Sequence, residues 1–286
     1  MKSNLPTLAR YTAVAIILIA CFGVTAFVVG KALLKEQVKL GESNQGFSTA
    51  DGGECNIAVI PLVGGLYASE ADAQSQTATD NSDNVSAEYI LQQIERVQDD
   101  SSIKGVVLRI DSQGGSTVGG DLIANALKRL NKPSAAVIWG LGASAAYLAA
   151  TGANTIIASP SSNIGDIGVT DSYLDQTGKD AQNGQKFISI IAGTYKDVGN
   201  PDSPLTPAGY ALLQQETNEV YQNFVQEVAQ NRSMSVSAVK ALASGTPFIA
   251  SSATSTGLID AIGDSETARE WFQQKLGANS NPVLCE

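Results

Sequence analysis

The chain has 286 residues, 43% of them hydrophobic, and 18 basic against 28 acidic side chains give a net charge of −10. That length is enough for one large or two ordinary domains with a sizeable core, and so acidic a surface repels phosphate backbones, which argues against nucleic acid as a partner. Histidine is absent and cysteine occurs only at positions 21, 55 and 285, so a Ser-His-Asp triad and a His-ligated metal are excluded and a structural zinc cluster is disfavoured.

Residues 11–30 carry no charge and are mostly apolar, long enough at helical rise to cross the hydrocarbon core of a bilayer. Lys2 and Arg10 precede this run, and Lys31, Lys35 and Lys39 follow it. Phe22, Val24, Phe27, Val28 and Val29 extend it beyond the usual apolar region of a secretory signal. The expectation is an uncleaved anchor within residues 1–35, with membrane lipid as a partner. A lipoprotein processed at Cys21 and an ordinary cleaved leader are the competing readings. Residues 36–54 are polar and rich in Gly and Ser and read as a linker, which leaves 55–286 as the folded domain.

Within that domain, 56–62 looks like a strand and 69–84, a run of small polar residues, like a mobile loop. Ser86 should cap an amphipathic helix carrying Tyr89, Ile90, Ile94 and Val97. A buried strand at 105–111 leads into a glycine turn at 112–116 and a helix at 117–130. Pro133 opens a second apolar strand, which runs to Gly140 and Gly142. An alanine-rich helix follows until Gly152. Further on, 155–158 is a short strand, 164–169 a turn into an extended piece, 171–185 a polar loop, 187–191 a strand and 193–204 irregular. Helices are expected at 206–231, 235–243 and 265–276. Strands alternating with helices predict an α/β fold on a mostly parallel sheet.

The chemistry concentrates at two glycine turns that end core strands, where open α/β sheets bind ligands. Ser144 falls where a strand becomes a helix, and the unpaired N–H groups of a first helical turn favour a negative oxygen held beside it. Ser144 could equally be a plain N-cap. The Gly114-Gly115 turn could place a backbone N–H opposite that of Ala145, making a two-donor oxyanion hole. Without histidine, a serine nucleophile needs a lysine, a carboxylate or the terminal amine as its base.

Three motifs carry a family resemblance. Asp111-Ser112-Gln113-Gly114-Gly115 resembles the Ser-Pro-Gly-Gly oxyanion turn of the signal peptide peptidase A family. Ala143-Ser144-Ala145-Ala146-Tyr147 resembles its Ala-Ser-Gly-Gly-Tyr nucleophile motif, and Gly193-Thr194-Tyr195-Lys196-Asp197 the segment that bears its lysine. The similarity runs from about Asn56 to Asp264, and the 52-residue separation of Ser144 from Lys196 matches the short, single-repeat members.

The resemblance implies a crotonase- or caseinolytic-protease-like fold and a membrane-bound serine endopeptidase of type S49. Ser144 would be the nucleophile, Lys196 the general base, and Gly114 or Gly115 with Ala145 the oxyanion donors. It implies no cofactor and no metal. It also implies a homo-oligomeric ring or dome with sites shared between protomers, an apolar substrate groove, remnant signal peptides or other membrane-released peptides as substrates, and a single-pass protein with its catalytic domain outside the cytoplasm. A lysine base must be neutral to accept a proton, which needs its pKa brought from about 10.4 toward 7 or 8 by an apolar, water-poor setting.

One departure bears on this. Asp166 stands where the family usually has a serine that hydrogen-bonds the lysine, so Asp166 is a possible lysine partner that would favour the charged amine. A crotonase-type acyl-CoA enzyme and a catalytically idle membrane scaffold of the same fold are the other classes left open. Cys55 and Cys285, near the two ends of the domain, could form a disulfide in an oxidising space or remain thiols.

Overall fold

The structure is a computed structural model that describes residues 47, 54–80, 83–277 and 279–285. The expected membrane span and most of the linker lie outside these residues; among those described, no helix is long and apolar enough to cross a membrane. Phe47 is partly buried against the core, with the Arg96 guanidinium 5.5 Å above its ring.

The domain starts with β1 (Ile57–Tyr67), continues through α1 (Glu70–Asp80), β2 (Asn84–Ser86) and α2 (Ala87–Asp99), and reaches the first long central strand, β3 (Gly105–Gly115). Helix α3 (Thr117–Arg129) leads to β4 (Ser134–Ala143), and α4 (Ala145–Ala150) to β5 (Thr155–Ala158) and β6 (Asn163–Gly165). The order across the sheet is β2-β1-β3-β4-β5, and every one of these neighbours is parallel. The mostly parallel α/β expectation therefore holds.

Helix α5 (Thr177–Gln182) is followed by the 25-residue α6 (Pro207–Asn231), α7 (Val236–Leu242), the antiparallel β7 (Pro247–Ile249) against β6, and α8 (Ala250–Ala253). Strand β8 (Ala261–Ile262) joins the sheet beside β5, α9 (Ser265–Leu276) follows, and β9 (Leu284–Cys285) returns to pair with the start of β1.

Alternation along the strands sets the two faces. Ile60, Leu62, Val106, Leu108, Ile110, Ala136 and Ile138 face the helices α2, α3 and α4 and form the main core with Ile90, Ile94, Ile123, Leu127 and Tyr147. Ile57, Val107, Val137 and Ile157 point the other way, where Ala268 and Phe272 of α9 cover them. Both faces of the central strands are thus buried, which is why β3 and β4 read as unbroken apolar runs. Helices α3 and α4 approach so closely that a Cβ on Gly120 would come 2.4 Å from the Ala145 carbonyl oxygen. At the far end, Arg232 pairs with Asp260 at 2.7 Å, and Asp260 also accepts the Ile156 N–H, which ties the end of α6 to β5.

Three expectations fail. The stretch 69–84 is not a mobile loop: α1 occupies most of it. Its start is held by Ser69, which accepts the Ala73 and Asp72 N–H groups, while Glu70 and Asp72 sit at the positive end of the helix dipole. Ala73 is buried, and Ser86 donates to Glu70, so neighbours supply what a weak amphipathic pattern lacks. Conversely, 187–191 is not a strand. No described strand lies alongside it to pair with, and Ile188 and Ile190 are 71% and 95% exposed. The polar stretch 171–185 likewise contains the short α5.

Cys55 and Cys285 are joined by a disulfide that spans 230 residues of chain and staples β9 to the beginning of β1. Closing so long a loop restricts the unfolded chain, so the Cys55→Ala, Cys285→Ala double variant should lose about 2–4 kcal/mol of stability in urea denaturation. An unchanged midpoint would mean the bond restrains nothing that matters.

Candidate active site

The parallel sheet delivers its strand ends to one edge, and the carboxyl ends of β1, β3 and β4 come together there. A cavity of about 1050 Å³ opens on that edge. Leu66 and Tyr67 line it from β1, Gly114 and Gly115 from β3, Ser144 from the β4–α4 junction, and Asp166 and Val169 from the extended chain after β6. Gln214, Asn218 and Tyr221 of α6 and the turn 243–245 close the remaining side.

Ser144 has φ 52° and ψ −128°, although it is not glycine. A side chain in such a region costs on the order of 1–3 kcal/mol, so the surroundings must impose it. They do: its N–H donates to the Gly165 carbonyl at 2.8 Å, its own carbonyl accepts from Leu148, and all six residues of α4 are buried. The Tyr147 hydroxyl donates to the Leu258 carbonyl at 2.8 Å, pinning the helix, and burial pushes its pKa upward. Ser144 makes no side-chain capping bond. The plain N-cap alternative is therefore not realised: the hydroxyl is presented to the cavity on a strained strand-to-helix turn.

The glycine turn fits against it. Gly114 has φ 91°, and a Cβ there would lie 2.9 Å from Ser144 Cβ and 2.8 Å from the Ala145 nitrogen. Only a bare backbone can pass so near the serine. Ala145 opens α4, where its N–H is among those without an intrahelical acceptor. The buried Ser112 fixes the turn from beneath. Its hydroxyl donates to the Gly64 carbonyl at 2.6 Å and accepts the Gly114 N–H at 3.0 Å, which ties β1 to the turn. That supporting role was not evident from the motif alone, in which Ser112 looks like one more turn residue.

Lys196 stands apart. It sits in the turn-rich segment before α6, exposed and not among the residues that line the Ser144 cavity. It is not paired with its neighbour either: Asp197 accepts from Asn200 and Ser203 at 2.8 Å each, and those bonds lower its pKa. Within one chain the structure brings together Ser144, Gly114, Gly115, Ala145 and Asp166, and does not bring Lys196 to them. Asp166 lines the cavity half-buried at φ 51°. The α6 residues in the wall escaped sequence reasoning, because nothing in the polar pattern of that helix says which side meets the strand ends.

If the turn stores strain, relieving it must show in stability. Ser144→Gly should be more stable than Ser144→Ala by about 1 kcal/mol in urea denaturation, since glycine adopts φ 52° freely and alanine does not. At an unstrained helix start the two would be nearly equal.

Comparison with known proteins agrees with this geometry. The family model described as peptidase family S49 matches residues 126–279, more than half of the chain, and that for Clp protease matches residues 71–164. A putative protease of Methanocaldococcus jannaschii is 31% identical over 95% of this chain and 85% of its own length. A putative signal peptide peptidase of Enterococcus faecium is 29% identical over 68% of this chain and 57% of its own. A chloroplastic serine protease of Arabidopsis thaliana is 30% identical over 80% of this chain, which spans only 34% of that longer protein. With a family match that runs through β4, α4 and α6, and so through Ser144 on its strained turn, the chain belongs to peptidase family S49 and is a serine-type peptidase.

Proposed function

We propose that the protein is a membrane-anchored endopeptidase that cleaves remnant signal peptides and other peptides released from membranes, using Ser144 as nucleophile and Lys196 of a second copy of the chain as general base. The observation that carries this reading is Ser144 itself, a non-glycine residue at φ 52° with its side chain uncommitted above a cavity large enough for several residues of peptide. Ser144 Oγ attacks the scissile carbonyl and gives its proton to the amine of Lys196. The resulting oxyanion sits between the Ala145 N–H and the Gly115 N–H, since the Gly114 N–H is taken by the Ser112 hydroxyl, and such a donor is worth roughly 3 kcal/mol. The protonated lysine then returns its proton to the leaving amine, and water hydrolyses the acyl-enzyme by the same route in reverse.

Two features favour a base from another copy. Lys196 is exposed and outside the cavity of its own chain, and the segment leading to it, with Phe187, Ile188, Ile190 and Ile191 all exposed, has the composition of a strand without a partner. Burial of that segment between copies would supply the dry setting that a neutral lysine requires. A homo-oligomer is thus part of the proposal, and no metal or cofactor enters it. The apolar run 11–30 supports a cell-membrane location. The Cys55–Cys285 disulfide supports an oxidising, extracytoplasmic side for the catalytic domain.

A fluorophosphonate probe should label Ser144 in the full-length protein, and Ser144→Ala and Lys196→Ala should each lower peptide hydrolysis by about 10³-fold or more. Mixing the two inactive variants under conditions that exchange subunits should restore part of the activity, since mixed assemblies pair an intact serine with an intact lysine. Absent labelling would remove the nucleophile, and failure of the mixture alone would remove the shared site. Gly114→Ala should also abolish labelling while leaving the fold intact by circular dichroism, because its methyl group would collide with Ser144.

A further inference from the structure

The Ser144 cavity has an electrostatic character that its shape does not reveal. Among the described residues that line it, Asp166 alone carries a charge, and the others are glycines, apolar side chains and neutral hydroxyls and amides. Its carboxylate has no hydrogen-bond or ion-pair partner among the described residues. Nor is it loosely placed. Gly165, the residue before it, accepts the Ser144 N–H at 2.8 Å, and Ile167, the residue after it, is fully buried and accepts the Gly245 N–H at 3.1 Å. The backbone on both sides is thus fixed, and Asp166 itself is held at φ 51°. Within one chain this half-buried carboxylate faces the cavity with no cation beside it, and a basic side chain of the right reach would pair with it.

We propose that Asp166 forms a subsite for a basic side chain of the peptide substrate, so that cleavage by Ser144 is selective for a lysine or arginine near the scissile bond. The proposal rests on Ser144 being the nucleophile and adds the substrate class. It adds a single fixed negative point to a groove whose lining is otherwise uncharged, part apolar and part polar. The rest of the molecule acts in the same direction: the net charge is −10, and residues 51–286 hold 13 basic and 26 acidic side chains. Such a field raises the local concentration of cationic peptides before they reach the cavity. Asp166 then converts a general attraction into a position along the peptide.

The test uses N-acetylated peptides, which removes the terminal amine as a source of cation, in pairs that differ only by lysine or norleucine at one position scanned around the cleavage site. Binding to full-length Ser144→Ala protein, read by fluorescence anisotropy at low salt, should favour the lysine peptide by about tenfold at one position. That ratio should fall to near unity in Ser144→Ala, Asp166→Asn, and Asp166→Ser should behave alike. Hydrolysis by the protein with Ser144 intact should show the same preference in kcat/KM. A lysine-to-norleucine ratio equal in the Asp166 and Asp166→Asn proteins at every position overturns the proposal. So does a pH–rate profile displaced to lower pH in Asp166→Ser with the charge preference unmoved, which would assign the carboxylate to Lys196 instead of the substrate. A binding preference that persists although Ser144 takes no fluorophosphonate label would uphold the subsite while refuting the peptidase role of the serine.

Discussion

Everything at the catalytic edge depends on one backbone conformation, that of Ser144 between the last residue of β4 and the first of α4. A strand and a helix joined without a loop leave the connecting residue nowhere to go but a sparsely populated region, and φ 52° with ψ −128° is what results. The penalty, of order 1–3 kcal/mol, is a sizeable part of the net stability of an ordinary domain, about 5–15 kcal/mol. It persists because the elements on both sides are over-determined. Strand β4 is paired with β3, β5 and β6, and α4 is buried along its whole length. Gly114 is the other half of the same constraint, since any side chain there would contend with the serine for space.

On the proposed reading Ser144 still needs a base, and the absence of imidazole narrows the choice to groups that are charged at neutral pH in water. The chain meets this with two candidates in different settings. Asp166 is close by, lining the same cavity as Ser144, but a carboxylate is by nature a weak base toward a hydroxyl. Lys196 offers an amine but lies exposed, outside the cavity of its own chain. On the reading proposed above, chemistry waits on assembly: an isolated chain would hold the nucleophile and oxyanion donors, and a second copy would bring the amine together with the apolar strip that keeps it dry. Such an arrangement confines proteolysis to the assembled particle.

How much of this could be read from the sequence depended on whether a segment carries its own instructions. Strands β3 and β4 and helices α2, α3 and α6 were legible because apolar spacing, and caps such as Ser86, Ser116 and Thr206, are local signals. Helix α1 was not, because its stability comes from contacts made elsewhere: Ala73 against the core and Ser86 reaching to Glu70. Residues 187–191 failed in the opposite way. Their β-branched composition is a strand signal, yet a strand is only a strand beside another one, and a single chain offers none. Ser144 and the Gly114-Gly115 turn could be named from motifs, but the reason Gly114 must be glycine is a contact across 30 residues that only the fold creates.

The position of the disulfide adds a constraint on the working molecule. Cys55 precedes the first residue of β1, and Cys285 pairs beside Ala58, so the disulfide lies at the amino end of that strand. The cavity lies at its carboxyl end, where Leu66 and Tyr67 line the wall. Eleven residues of strand separate the two, roughly 35 Å at 3.3 Å per residue. Changes at the stapled edge can therefore alter stability without reaching Ser144.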